Sequence, residues 1–267
     1  MTPKEFRRKI IEKRDYFLQK YGFGKIYNEI CDGELIEPTG AKSDDYGTYS
    51  IKDSFDFEED FYFIYDATID DFGFSIGELD DEGKPELTKD VERNGNIELE
   101  ISAVDRLNPR VECSGILHRG PIYALENETK VIFSIFGVKN SDLAPEFYKE
   151  TVGEAICLLN DGRVKQSYFT LLTAADRQTN DFLLGLYKFD ELSDLKYRKL
   201  EETFKLNIQI FLDNNELTKV PFPQELIRIF VKHVERRNEI AHSLGRVNIT
   251  EDHVNDIFFL IIAMEII

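Results

Sequence analysis

The chain is short of cysteine and histidine and lacks the glycine-rich signatures of nucleotide chemistry, and each shortage narrows what it can do. Its three cysteines, Cys31, Cys113 and Cys157, stand far apart at no metal-ligand spacing. An odd number so placed predicts reduced, packed thiols in a cytoplasmic protein, not a disulfide framework or a zinc site. No P-loop or dinucleotide glycine pattern occurs, GxSxG is absent, and no segment has EF-hand spacing. The N-terminal run MTPKEFRRKIIEKRDYFLQKYGF alternates charge with apolar side chains and has no apolar core of signal-peptide type. The most apolar run, 257–263 (IFFLIIA), is too short to span a bilayer. It predicts a helix buried on most sides, in small helical domains often a subunit interface, and no membrane association is expected. No internal repeat is visible.

What is present marks a globular protein. Of 267 residues 42% are apolar, with 12 Tyr and 21 Phe, enough for one large domain or two modest ones. The net charge of −18 is unevenly spread. Sixteen Asp or Glu lie between Asp44 and Asp90, against only Lys52, Lys84 and Lys89. A protein whose whole surface binds nucleic acid is excluded, yet the C-terminal third retains the means for a local basic patch. The acidic stretch reads either as a solubilising face or as a docking face for a regulatory protein or ligand of opposite charge.

Two periodicities divide the chain. Residues 4–21 are helical in pattern, with Phe6, Ile10, Ile11, Phe17 and Leu18 on one apolar face, and residues 31–50 read mainly as loop. Short β-branched and aromatic runs follow: DFYFIYDATI, FGFSIGEL, NIELEISAV, ECSGILH and KVIFSIFGV. They predict an antiparallel sheet, sandwich or half-barrel. After SDLAPE the period becomes helical, with helices expected near 145–160, 164–188, 191–212, 223–244 and 251–266, stopped by Gly162, Pro221, Pro223 and Gly245. Thr250 with Glu251 and Asp252 marks the last helix start. The expected class is α+β, with an acidic β-rich domain plus N-terminal helix at 1–140 and an all-α bundle at 141–267.

Chemistry concentrates at the end of the fourth of these helices. Leu226, Ile227, Phe230, Val231 and Val234 predict an inward stripe, and its continuation lands on Arg237, Asn238 and then Ala241, with His242 one turn beyond Asn238. An arginine and a histidine five positions apart can hold a phosphate and move a proton with no metal or other cofactor. The same residue types also suit a helix C-terminus, where they complement the macrodipole and cap carbonyls. Lys232, Arg236 and Arg246 stand close enough in sequence to make a positive cleft or merely a solvated face. His233 and His253 read as packing or surface histidines, and His118 as isolated between strands.

The run RRNEIAHSLGRVNITEDHVNDIFFLIIAME resembles the C-terminal signature of the HEPN superfamily. Its motif of Arg, a polar residue, three positions and His at the end of a long helix is matched by Arg237, Asn238 and His242. The preceding pair of helical runs, broken at Asp161-Gly162 and carrying Asp176, resembles that family's helical hairpin. The likeness covers residues 145–267. It implies a dimeric all-helical domain and a metal-independent endoribonuclease of defence or toxin type. The RNA 2′-OH would be the nucleophile and the products a 2′,3′-cyclic phosphate and a 5′-OH. Arg237 would hold nonbridging oxygens, Asn238 would orient the phosphate or His242, and His242 copies from two protomers would serve as acid and base. Arg236, Lys232, Arg246 and Asp176 would contact substrate. Other members are non-catalytic scaffolds for dimerisation or partner binding. Leu244 stands where some toxin members have Tyr, so the tyrosine-modifying antitoxin partnership of that subgroup is not carried over.

Overall fold

A computed structural model describes residues 2–33, 47–88, 90–91, 95–119, 129–143, 147–186, 223–242 and 247–265. They form a mixed α+β protein of two compact units, Gly24–Leu143 and Met1–Phe23 with Ala144–Ile267. The N-terminal helix, expected with the β-rich domain of 1–140, belongs instead to the helical unit. The reason is its apolar stripe, which needs an apolar helix to cover it.

In the helical unit, α1 (Pro3–Glu12) opens with a capping box. Glu5 N–H donates to Thr2 Oγ1 at 3.3 Å and Thr2 N–H to Glu5 Oε2 at 2.7 Å, and Pro3 spends no donor in the first turn. α2 (Arg14–Lys20) follows after a one-residue break at Lys13 and stops before Gly22, whose φ of 75° is left-handed. α3 (Phe147–Asn160) and α4 (Val164–Leu186) pack as neighbours across the expected break, where Gly162 takes a φ of 74°. α5 (Pro223–His242) and α6 (Glu251–Glu265) complete the described helices. The helix expected at 191–212 lies outside the described residues.

The centre of this unit is α6. Val254 and every residue from Ile257 to Ala263 are buried, and α1, α4 and α5 pack on it. Phe6 meets Phe259 edge-on with ring centroids 5.8 Å apart. Each large side chain so buried contributes about 1.5–3 kcal/mol relative to exposure. The apolar run read as a subunit interface is therefore consumed by packing within the chain.

The β unit is two four-stranded antiparallel sheets in the orders β1-β8-β3-β4 and β2-β7-β6-β5. The strands are β1 (Lys25–Gly33), β2 (Gly47–Asp56), β3 (Phe61–Leu79), β4 (Pro85–Thr88), β5 (Asp90–Val91), β6 (Gly95–Asp105), β7 (Arg110–Arg119) and β8 (Thr129–Lys139). β1 pairs with β8 and β2 with β7, a nested wrapping akin to a jelly roll. The core holds Phe55, Phe57, Phe61, Ile64, Phe133 and Ile135, with Phe133 edge-on to Phe55 at 5.0 Å. Two sequence expectations fail here. Residues 31–33 and 47–50 are strand, not loop, and DFYFIYDATI and FGFSIGEL form one strand. Against β8, three register shifts carry β3 through, the last of them between Ile69 and Asp71, and a fourth lies between Ser75 and Leu79 against β4.

Candidate functional site

Helix α5 starts at Pro223 and buries Leu226, Ile229, Phe230, His233 and Val234. Its inward stripe is therefore rotated from the one read in the sequence, with Val231 only half-buried and His233 at its centre. Arg237 and Asn238, expected at a buried edge, are exposed, and the polar interruption of the stripe is His233 one turn earlier. His242 is the last residue of α5, and its side chain, like all of Arg246, lies outside the described residues.

Arg237 faces α4 across a pocket of about 190 Å³. Phe169, Leu172, Phe230 and Val234 supply its apolar lining, with Thr173, Asp176 and Arg237 as polar members. Burial pushes the Asp176 carboxyl above its usual value, and the Arg237 guanidinium pulls it partly back. Two of the predicted residues, Arg237 and Asp176, are thus brought together. A planar or anionic group in this pocket would find a cation, a carboxyl and aromatic walls.

Lys232 and Arg236 do not join them there. Both act on His253 of α6, whose pKa is lowered by burial first and then by Arg236, His233 and Lys232, against Asp256. His253 Nδ1 accepts from Thr250 N–H at 3.0 Å, which makes it part of the start of α6. Arg236 is half-buried, and its Nη1 is shielded with no hydrogen-bond partner among the described residues.

Sequence reasoning missed a polar chain through the core. Tyr168 Oη donates to the His233 carbonyl at 3.2 Å and lies 3.2 Å from His233 Nδ1. His233 Nε2 is 3.5 Å from Asp256 Oδ2, within ion-pair reach but without hydrogen-bond geometry. Asp256 accepts from Arg7 Nε at 2.6 Å, and Arg7 Nη2 donates to the Asp252 carbonyl at 3.1 Å. Burial raises Asp256, but His233 and Arg7 outweigh it and its carboxyl ends below the ordinary value. Burial likewise raises Tyr168 to about 12, against the pull of Arg236 and Arg237. The chain ties α1, α4, α5 and α6 together beside the motif helix. Its one sequence signal is His233, three positions after Phe230 on an apolar face.

Cys31 and Cys113 are poor nucleophiles: burial, and then neighbouring carboxylates, push Cys31 up to about 11, and burial and Asp53 push Cys113 up to about 12. Among the described residues no cluster of three or more His, Cys, Asp or Glu is placed to hold a metal ion, and no helix is long and apolar enough to cross a membrane. No protein-family model, curated protein or solved structure matches this chain.

Proposed function

We propose that the helical unit is a HEPN-like domain and that the chain is a metal-independent endoribonuclease acting as a homodimer. The observation that carries this reading is Arg237, a solvent-facing cation lining a pocket, five residues before the terminal His242 of the same helix. In the reaction, a base takes the proton of the RNA 2′-OH and the 2′-oxygen bonds to phosphorus. The bond from phosphorus to the 5′-oxygen then breaks, and an acid protonates the leaving oxygen. A single imidazole per chain suffices if two His242 copies share these roles across a dimer cleft. Arg237 supplies a fork of donors to the nonbridging oxygens, Asn238 orients the phosphate or His242, and Arg246 adds phosphate contacts. RNA is the substrate, and a defence or toxin role in the cytoplasm accords with an activity harmful to its own cell unless restrained. A regulatory protein or ligand on the acidic β unit would provide the restraint.

A second reading, a non-catalytic HEPN-like scaffold for dimerisation or partner binding, is favoured by one observation. Asp176 feels the charge of Arg237, a pairing that suits helix packing as well as phosphate binding. Incubation of purified protein with RNA in EDTA separates the two. Cleavage that survives EDTA and is lost in His242→Ala and Arg237→Ala supports the enzyme. Cleavage equal in wild type and variants, or none at all, contradicts it, and inactivity favours the scaffold.

A further inference from the structure

Charge in this acidic chain reverses sign at its N-terminus. Residues 1–23 hold seven Lys or Arg against three Asp or Glu, within a net −18. Several of these charges are already used. Arg7 is bound to Asp256, Arg8 lies 3.5 Å from Glu12, Arg14 lies 3.5 Å from Asp15, and Glu5 caps α1. Lys9, Lys13 and Lys20 are exposed and form no ion pair among the described residues.

Lys13, Tyr16 and Lys20 lie at i, i+3 and i+7 of α2, with Lys13 as its N-cap residue, and Lys9 lies in the last turn of α1. Positions 9, 13, 16 and 20 follow i, i+4, i+7 and i+11 spacing. At the break Lys13 leaves the helical conformation, with φ −116° and ψ 34°, yet its N–H donates to Lys9 O at 3.2 Å and its carbonyl accepts from Phe17 N–H at 3.1 Å, so it is bonded to both helices. Tyr16 is 56% exposed, and Lys20 Nζ sits 5.9 Å from its ring centroid and 5.4 Å from that of Tyr21. The result is a cationic stripe with an exposed aromatic ring, which Lys20 approaches from one side.

We infer that this stripe of Lys9, Lys13, Tyr16 and Lys20 is a binding surface for single-stranded nucleic acid, distinct from the Arg237 pocket. Lysines at this spacing neutralise successive phosphates, and an exposed tyrosine offers a platform for an unpaired base. A lipid surface is disfavoured because the apolar side chains of this segment, Phe6, Ile10, Phe17 and Leu18, are spent in the helical unit. An acidic polypeptide would use the cations but not the open ring. At physiological salt the Debye length is about 8 Å, so the stripe acts locally despite the acidity elsewhere. No lining residue of the pocket comes from α1 or α2, and the surface goes beyond the ribonuclease reading.

The test is fluorescence anisotropy of the full chain with a labelled single-stranded oligodeoxynucleotide, titrated across a range of NaCl. The probe has no 2′-OH, so binding is read whether or not the ribonuclease reading holds. The triple variant Lys9→Gln, Lys13→Gln and Lys20→Gln should lower the steepness of log K against log salt by about 2 and bind at least about tenfold more weakly at low salt. Tyr16→Ala should weaken binding about 5- to 100-fold with the slope unchanged. Arginine at all three lysine positions should retain binding, which separates lost charge from a damaged fold. Wild-type affinity and slope in the glutamine variant would overturn the inference. So would loss in the arginine variant, or a wild-type chain that binds polyglutamate but not the oligonucleotide.

Discussion

At the scale of single residues, the chain from Arg7 through Asp256 and His233 to Tyr168 decides how the motif helix is held. Asp256→Asn removes one charge from a half-buried, hydrogen-bonded pair and should cost about 2 kcal/mol of stability in urea unfolding. The sign of the pH dependence follows from the shifts. Asp256 is lowered, so its contribution is present above the ordinary carboxylate pKa and is lost as pH falls through the lowered value. His253 is lowered too, which for a histidine means the folded state resists its protonation. Stability should therefore begin to fall as pH drops below about 6.5, and His253→Gln should remove that step. Asp176 runs the other way. Its raised pKa makes the ionised form a cost at neutral pH, so Asp176→Asn should leave the melting temperature unchanged or raised, as read by circular dichroism. Arg237 and Asn238 could be named from spacing because helical periodicity fixes neighbours along one helix, whereas Asp176 came only from the family resemblance. The Arg7–Asp256 pair could not, because a contact between residues 249 positions apart depends on tertiary packing.

At the scale of elements, the helices were legible and half of the sheet was not. Helices α3, α4 and α5 carry 3.6-residue patterns and α6 a continuous apolar run, with Gly162 and Thr250 marking boundaries, and their ends fall within a few residues of expectation. β1 was missed because its sequence KIYNEICDG mixes turn formers with apolar residues, and its edge position asks for only one buried face. β3 was split in two because Asp70 and Asp71 resemble a turn, whereas the register shift after Ile69 absorbs Asp70 and Asp71 pairs with Ile132. Close packing of β6 against β7 gives a check. A Cβ on Gly115 would sit 2.0 Å from the Glu98 carbonyl oxygen. Gly115→Ala should therefore destabilise the β unit by roughly 2 kcal/mol, measured by denaturant unfolding. Phe133→Ala, at the centre of the same core, should cost about 3–5 kcal/mol.

At the scale of the whole molecule, the division of labour is written in charge and in chain order. Acid is concentrated in the sheet unit, base in the first helix pair and around the end of α5, and the helical unit is assembled from both ends of the chain. Removing residues 1–23 deletes Phe6 and Ile10 and should uncover the α6 surface they protect. The shortened chain should melt at a clearly lower temperature than the full one in calorimetry, whereas a unit complete from residue 144 onward would melt unchanged. The central claim is chemical: an Arg–His pair on α5 cuts RNA through its own 2′-OH. The most direct measurement is mass spectrometry of the ends left on a defined RNA after incubation with the full chain in EDTA. The account predicts a 2′,3′-cyclic phosphate and a 5′-OH, both abolished by His242→Ala. Products ending in 3′-OH and 5′-phosphate, or the same cyclic ends from the His242→Ala chain, would contradict it.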